Sequence, residues 1–272
     1  EAVIDGNNIT ICSPLVTDRS KLVATFSTNG AKVLVNGAEQ ISGYTAVDFS
    51  SPVQYMVFSS SGEMNIYNVS VSGTGLPTVI INTPNGAQIP PKTADWLEGT
   101  YIKIINADGT TDYEGKEDNI RGRGNSTWGY PKKPYAVKLD SKASILGMPK
   151  HKRWVLLANW MDRTMLRNHV AFTMAKKTCL AWTPRGEFVE VVRNGKHVGN
   201  YYLCEQIKVD ENRVNIHEME DTDTEGDAIT GGYLMELDTY FDEVNKFKSS
   251  IKGLPYMFKE PDEDVLNEQQ FA

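Results

Sequence analysis

RGRGNSTWGYPKKPYAVKLD, residues 121–140, places two arginines, two glycines and a run of Asn, Ser and Thr ahead of a segment in which Lys138 alternates with Val137 and Leu139. The alternation predicts a short strand with Lys138 on the face opposite its buried one. Backbone without a Cβ at Gly122 and Gly124 can approach a phosphate. Arg121, Arg123 and the hydroxyls of Ser126 and Thr127 can bond its oxygens. A basic surface turn whose arginines pair with acids elsewhere has the same composition. The stretch matches neither the P-loop nor the dinucleotide fingerprint, because no GK[ST] and no third glycine follow.

Charge is unevenly distributed around this stretch. Residues 121–177 hold 13 Lys/Arg against two acids, whereas residues 205–272 hold 18 Asp/Glu against 6 Lys/Arg. Such segregation suits a positive face for an anion, or two parts that attract each other. The acidic remainder and the lack of a basic aromatic sheet motif argue against nucleic acid. At 272 residues, 40% hydrophobic and 23% charged, the chain has a globular composition. No apolar run approaches the roughly 18 residues needed to span a bilayer. Cys12, Cys179 and Cys204 are widely spaced and odd in number, and they predict neither a disulfide framework nor a zinc site. The four histidines show no metal spacing, and no metal site is expected. Asp221–Gly226 resembles the opening of a calcium loop. Gly232 stands where a bidentate Glu is required, so a hydrated acidic loop is expected.

On the N-terminal side, LVATF, KVLVNG, VQYMVF and NIYNVSV recur with turn residues between them, and alternation is clearest over residues 65–71. This predicts an Ig-like β-sandwich over residues 1–72 with nothing catalytic in it. Residues 73–77 read as a linker, and residues 78–272 as a second domain. In that domain, strands are expected at Thr78–Ile81 and Tyr101–Ile105. A helix is expected from an Asp162 N-cap, with Met161, Met165, Leu166, Val170 and Met174 on one stripe. A hairpin is expected about Asn194-Gly195, and a strand over Gly232–Asp238. Strands, helix, hairpin and strand in that order predict an α+β fold. Trp128, Trp154, Trp160 and Trp182 could line a sugar-binding face, but core packing is the expected role for large aromatics at element ends.

Five ordered blocks, RGRGNSTW, KKPYAVKLD, LLANWMDRTMLRNHVAF, NGKHVGNYYLCEQI and GGYLMELD, resemble the CotH family of spore-coat proteins and their secreted bacterial relatives, which have an atypical kinase-like fold. The resemblance implies the first, N-terminal lobe of a CotH kinase-like domain behind the Ig-like module. It implies ATP and Mg²⁺ as cofactors, a protein substrate phosphorylated on hydroxyls, and an extracytoplasmic, cell-surface or secreted setting that includes lipoproteins. Its nucleotide-binding candidates here are Arg121, Gly122, Arg123, Gly124, Asn125, Ser126 and Lys138. Glu205 and then Glu236 are the candidate acidic partners of Lys138. The family's catalytic and metal-binding Asp motifs lie C-terminal to these blocks. The run Asp242-Glu243-Val244-Asn245 has their residue types without their spacing. The catalytic residues are therefore expected beyond Ala272, and this chain alone is expected to be inactive. The alternative function is a non-catalytic surface module that binds an anionic polymer or protein.

Overall fold

The structure is a computed structural model describing residues 2–14, 18–261 and 264–271. It is mostly β, with 43% strand and 9% helix, which shifts the expected α+β balance strongly toward sheet. Contacts divide it into two compact units, residues 1–160 with 187–203, and residues 161–186 with 204–272.

The first unit opens with a β-sheet module. Its strands are β1 (Ala2–Asp5), β2 (Asn8–Cys12), β3 (Leu22–Val23), β4 (Lys32–Val35), β5 (Ala38–Glu39), β6 (Ala46–Val47), β7 (Val53–Phe58) and β8 (Met64–Ser72). Six form a sheet in the order β1-β2-β8-β7-β4-β5, and β3 pairs with β6. Alternation buries Val33 and Val35 of β4 with Val69 and Val71 of β8. These residues pack with Phe49, Val53 and Tyr55, and Leu22 and Val47 from the two-stranded sheet close over them.

A closed barrel follows, all of it in the same unit except Gly186, Cys204 and Glu205. Its strands are β9 (Thr78–Asn82), β10 (Leu97–Ile105), β11 (Thr111–Gly122), β12 (Tyr135–Ile145), β13 (Met148–Leu157), β14 (Gly186–Arg193) and β15 (Lys196–Glu205). They close in the order β10-β11-β12-β13-β15-β14-β9, and a parallel pairing of β9 with β14 contributes one seam. Ile81, Ile102, Ile120, Val137, Trp154, Leu156, Val189 and Leu203 fill the interior. The hairpin turn is Asn194-Gly195, both at positive φ (48° and 74°), the backbone that a two-residue type I′ turn requires.

The second unit contains α1 (Arg167–Ala175), α2 (Gly226–Thr230), α3 (Glu268–Phe271) and a small sheet. That sheet is β16 (Leu234–Leu237), β17 (Lys246–Lys248) and β18 (Pro255–Glu260), ordered β16-β18-β17. Helix α1 has Leu166 as its N-cap, four residues later than the sequence predicts. Asp162 caps a turn instead: its carboxylate accepts from the Thr164 N–H and hydroxyl and from the Arg167 N–H. Met165 sits at φ 58° within that turn. The predicted apolar stripe also differs from expectation, since Met161, Leu166, Val170 and Met174 are exposed.

Candidate functional site

Register along the barrel decides which way the basic stretch faces. Ile120, Val137 and Trp154 lie side by side on β11, β12 and β13, and all three point into the core. The neighbouring rows therefore point outward: Asn119–Lys138–Arg153, and Arg121–Ala136–Val155. Lys138 stands directly opposite Arg153 and diagonal to Arg121. Those spacings are about 5 Å and about 7–8 Å. Arg121 and Arg153 both lie over the Trp96 ring, at 4.4 and 4.9 Å from its centroid. Among the described residues, no carboxylate lies within ion-pair distance of Lys138. Burial holds the Arg121 guanidinium below its ordinary range. Three cations thus share one outer face of the barrel, two of them over a tryptophan.

The glycines of RGRGNSTW have local explanations. A Cβ on Gly122 would come within 2.6 Å of Trp128 Cζ3, so this glycine lets the indole lie flat against the strand. Gly124, at φ 82°, turns the chain, and Arg123 then donates its N–H to the Pro134 carbonyl. Asn125 leads into a one-turn 3₁₀ helix, Ser126–Gly129, in which Ser126 and Thr127 are exposed. Arg123 is also exposed. The loop folds back on the start of its own following strand, with Gly122 paired to Tyr135.

The candidate acidic partners lie in the second unit with partners of their own. Glu205 is fully buried and accepts from Arg185 N at 2.9 Å, Nε at 2.9 Å and Nη2 at 2.8 Å. Arg213 Nε lies 3.8 Å from it. Burial, partly offset by Glu205 and Asp210, holds Arg213 down to about 10. Glu236 meets Lys259 at 3.5 Å, and Lys259 also pairs with Glu243.

Fitness for the implied cofactors divides along these lines. The outer face of β11–β13 has the cations to hold phosphate oxygens. Among the described residues, no group of three or more His, Cys, Asp or Glu is placed to hold a metal ion, so none supplies a Mg²⁺ site.

A second feature lies at the barrel mouth, where β9, β11, β13 and β14 end and β10, β12 and β15 begin. A cavity of about 550 Å³ opens there between the Pro84–Gly86 turn, the Ser126–Gly129 turn and the Asn194-Gly195 hairpin. Its floor is Tyr135 stacked on Tyr201, with centroids 6.1 Å apart. Arg193 Nη1 donates to the Tyr135 hydroxyl at 2.6 Å, and the Tyr201 hydroxyl donates to the Lys133 carbonyl at 2.9 Å. Burial pushes the Lys132 ammonium below its ordinary range, an effect that Glu190 partly offsets.

Sequence reasoning reached Arg121 and Lys138 but missed Trp96, Arg153 and the whole cavity. Trp96 precedes β10 in a loop with no periodicity to single it out. Arg153 does carry a signal, since it alternates with buried Trp154 as Lys138 does with Val137. Trp154 is core, as expected, whereas Trp160 is 49% exposed.

A family model described as CotH kinase protein matches residues 120–271, more than half of the chain, and one described as SGBP, N-terminal matches residues 1–71. No curated protein matches the chain.

Proposed function

We propose that this chain, which belongs to the CotH kinase protein family, uses the outer face of β11–β13 to bind the phosphates of ATP. The observation that carries this is the convergence of Lys138, Arg121 and Arg153 on one face with no carboxylate beside Lys138. Among the described residues Lys138 has no carboxylate beside it and stands opposite another cation, so an anion there would offset the charge on Lys138. Lys138 and the two arginines would grip phosphate oxygens, and Trp96 would hold both guanidinium planes in place. Bound nucleotide would supply the transferable phosphoryl group. It would pass to a protein hydroxyl, leaving ADP and a phosphoester, with the hydroxyl proton going to a base. Carboxylates outside the three-cation face would hold the metal and take the hydroxyl proton.

On this reading the barrel is the nucleotide-facing part of a kinase-like domain, and the N-terminal module, residues 1–72, is an Ig-like spacer joined through residues 73–77. The match to an SGBP N-terminal module supports a surface setting outside the cytoplasm. It also favours a second reading, a non-catalytic surface module that holds an anionic polymer.

Calorimetric titration of the whole chain with ATP, with and without Mg²⁺, tests the proposal. Lys138→Ala should weaken binding about tenfold or more, the loss of one charge-assisted contact worth about 1.5–3 kcal/mol. Arg121→Ala should act in the same direction. Unchanged affinity in Lys138→Ala would remove the nucleotide reading and leave the second one.

A further inference from the structure

The barrel mouth carries cations that the outer face does not use. Lys132, Lys133, Arg193 and Lys196 line the cavity, and no Asp or Glu lines it among the described residues. Three of them are oriented by uncharged groups. Lys132 Nζ donates to the Asn200 carbonyl and lies 4.5 Å from the Tyr201 ring centroid. Lys133 Nζ donates to the Trp128 carbonyl and lies 5.4 Å from that ring. Arg193 donates to the Tyr135 phenol. Carbonyls, phenols and ring faces hold a cation in place without neutralising it. The neighbouring acid, Glu190, is engaged by His197 at 2.7 Å. Four positive charges converging on a half-buried cavity favour an anion inside it.

The shape of that anion follows from Trp160. It stands at the cavity 49% exposed, and among the described residues it makes no hydrogen bond or ring contact. An indole offered to solvent beside clustered donors is a platform for a ring whose edges are polar. A nucleoside triphosphate also supplies a ring and negative charge, so Mg-ATP stands beside an acid sugar in the titration that tests the site. Among the described residues no carboxylate lines this cavity, so an acid group meets no like charge there. A sugar that carries its own acid group needs no metal: lysine and arginine meet the acid, Asn194 and Gln88 meet hydroxyls, and the ring lies on Trp160. The cavity's volume of about 550 Å³ falls among small-molecule sites and leaves room for more than one ring.

We propose that the barrel mouth binds an acidic saccharide, a short oligosaccharide of uronic acid residues, through Trp160, Lys196, Lys132, Lys133 and Arg193. This site shares no residue with the phosphate-binding face, so either assignment stands without the other.

Calorimetric titration of the whole chain with trigalacturonate, beside maltotriose and Mg-ATP, tests it. Saturable binding of trigalacturonate that weakens as salt rises, with no binding of maltotriose over the same range, is expected. Trp160→Ala and Lys196→Ala alter exposed side chains and should keep the wild-type thermal midpoint. Each should weaken trigalacturonate about tenfold or more. No saturable heat at millimolar trigalacturonate, equal binding of maltotriose, displacement of the acid sugar by Mg-ATP, or unchanged affinity in Trp160→Ala would each overturn the proposal.

Discussion

Replacing Glu205 by alanine tests whether this carboxylate is a clamp in the second unit. Its side chain is 0% exposed, and it faces Arg213, 1% exposed, and Arg185, 35% exposed. Arg185 donates three hydrogen bonds to it, two of them a bidentate fork. The two arginines then reach onward, Arg185 to the Asn212 carbonyl at 2.6 Å and Arg213 to the Gln206 carbonyl at 2.7 Å. Removing the carboxylate takes one acidic partner from buried Arg213, whose charge Asp210 also offsets, and breaking a buried pair costs about 3–5 kcal/mol. Arg185→Ala should cost less, because Glu205 keeps Arg213 and the lost charge was partly in water. Glu205→Gln should fall between the two, since it keeps the shape and drops the charge. Amide hydrogen exchange of peptides covering residues 183–190 and 204–216 reads the effect where it occurs. In Glu205→Ala their protection should fall by roughly two to three and a half orders of magnitude, at tenfold per 1.4 kcal/mol. A change below about 1 kcal/mol, or Arg185→Ala costing more than Glu205→Ala, would refute the reasoning. Lost ATP binding with unchanged protection would instead return Glu205 to the nucleotide site.

Gly122→Ala should destabilise the barrel by about 1–3 kcal/mol, because the new methyl meets the Trp128 indole and not open solvent; a denaturation curve matching wild type would contradict this. Asp118 is fully buried beneath the Tyr113 hydroxyl and the Asp140 N–H, and burial raises its carboxyl above the ordinary value of 3.8. A raised folded-state value means its stabilising contribution is complete below the unfolded value and is lost as pH rises through the folded one. The stability of Asp118→Asn relative to wild type should therefore rise with pH from 4 toward 7, and parallel melting curves across that range would count against it. Limited proteolysis should cut first in residues 73–77, leaving a resistant fragment from Thr78 onward; first cleavage near Asn106 would place the boundary elsewhere.

Much of this molecule was legible in local sequence. Asn194-Gly195 announced its hairpin, since few other residues tolerate positive φ twice in succession. Alternation over residues 65–71 marked a strand, and alternation about Lys138 placed that side chain outward, because side chains along a strand repeat every two residues. The ordered blocks from Arg121 to Asp238 carried the family. Asp162 was legible as a cap but not as the cap of a turn: its side chain satisfies the Thr164 and Arg167 N–H groups, and the helix waits until residue 167.

Periodicity says which face of a strand is buried, not which strand lies beside it. Closure of the barrel needed β9 to pair in parallel with β14, more than a hundred residues away, and nothing within either segment names the other. That pairing brings the Pro84–Gly86 turn to the Asn194 hairpin, where Thr83 and Asn194 exchange hydrogen bonds. The cavity, its cations and the exposed Trp160 exist only once those ends meet. Trp96 between Arg121 and Arg153, and Glu205 between Arg185 and Arg213, are likewise products of tertiary structure. The chain's residue types specified which groups seek a partner, and the closed barrel and the second unit's packing decided which partner each one found.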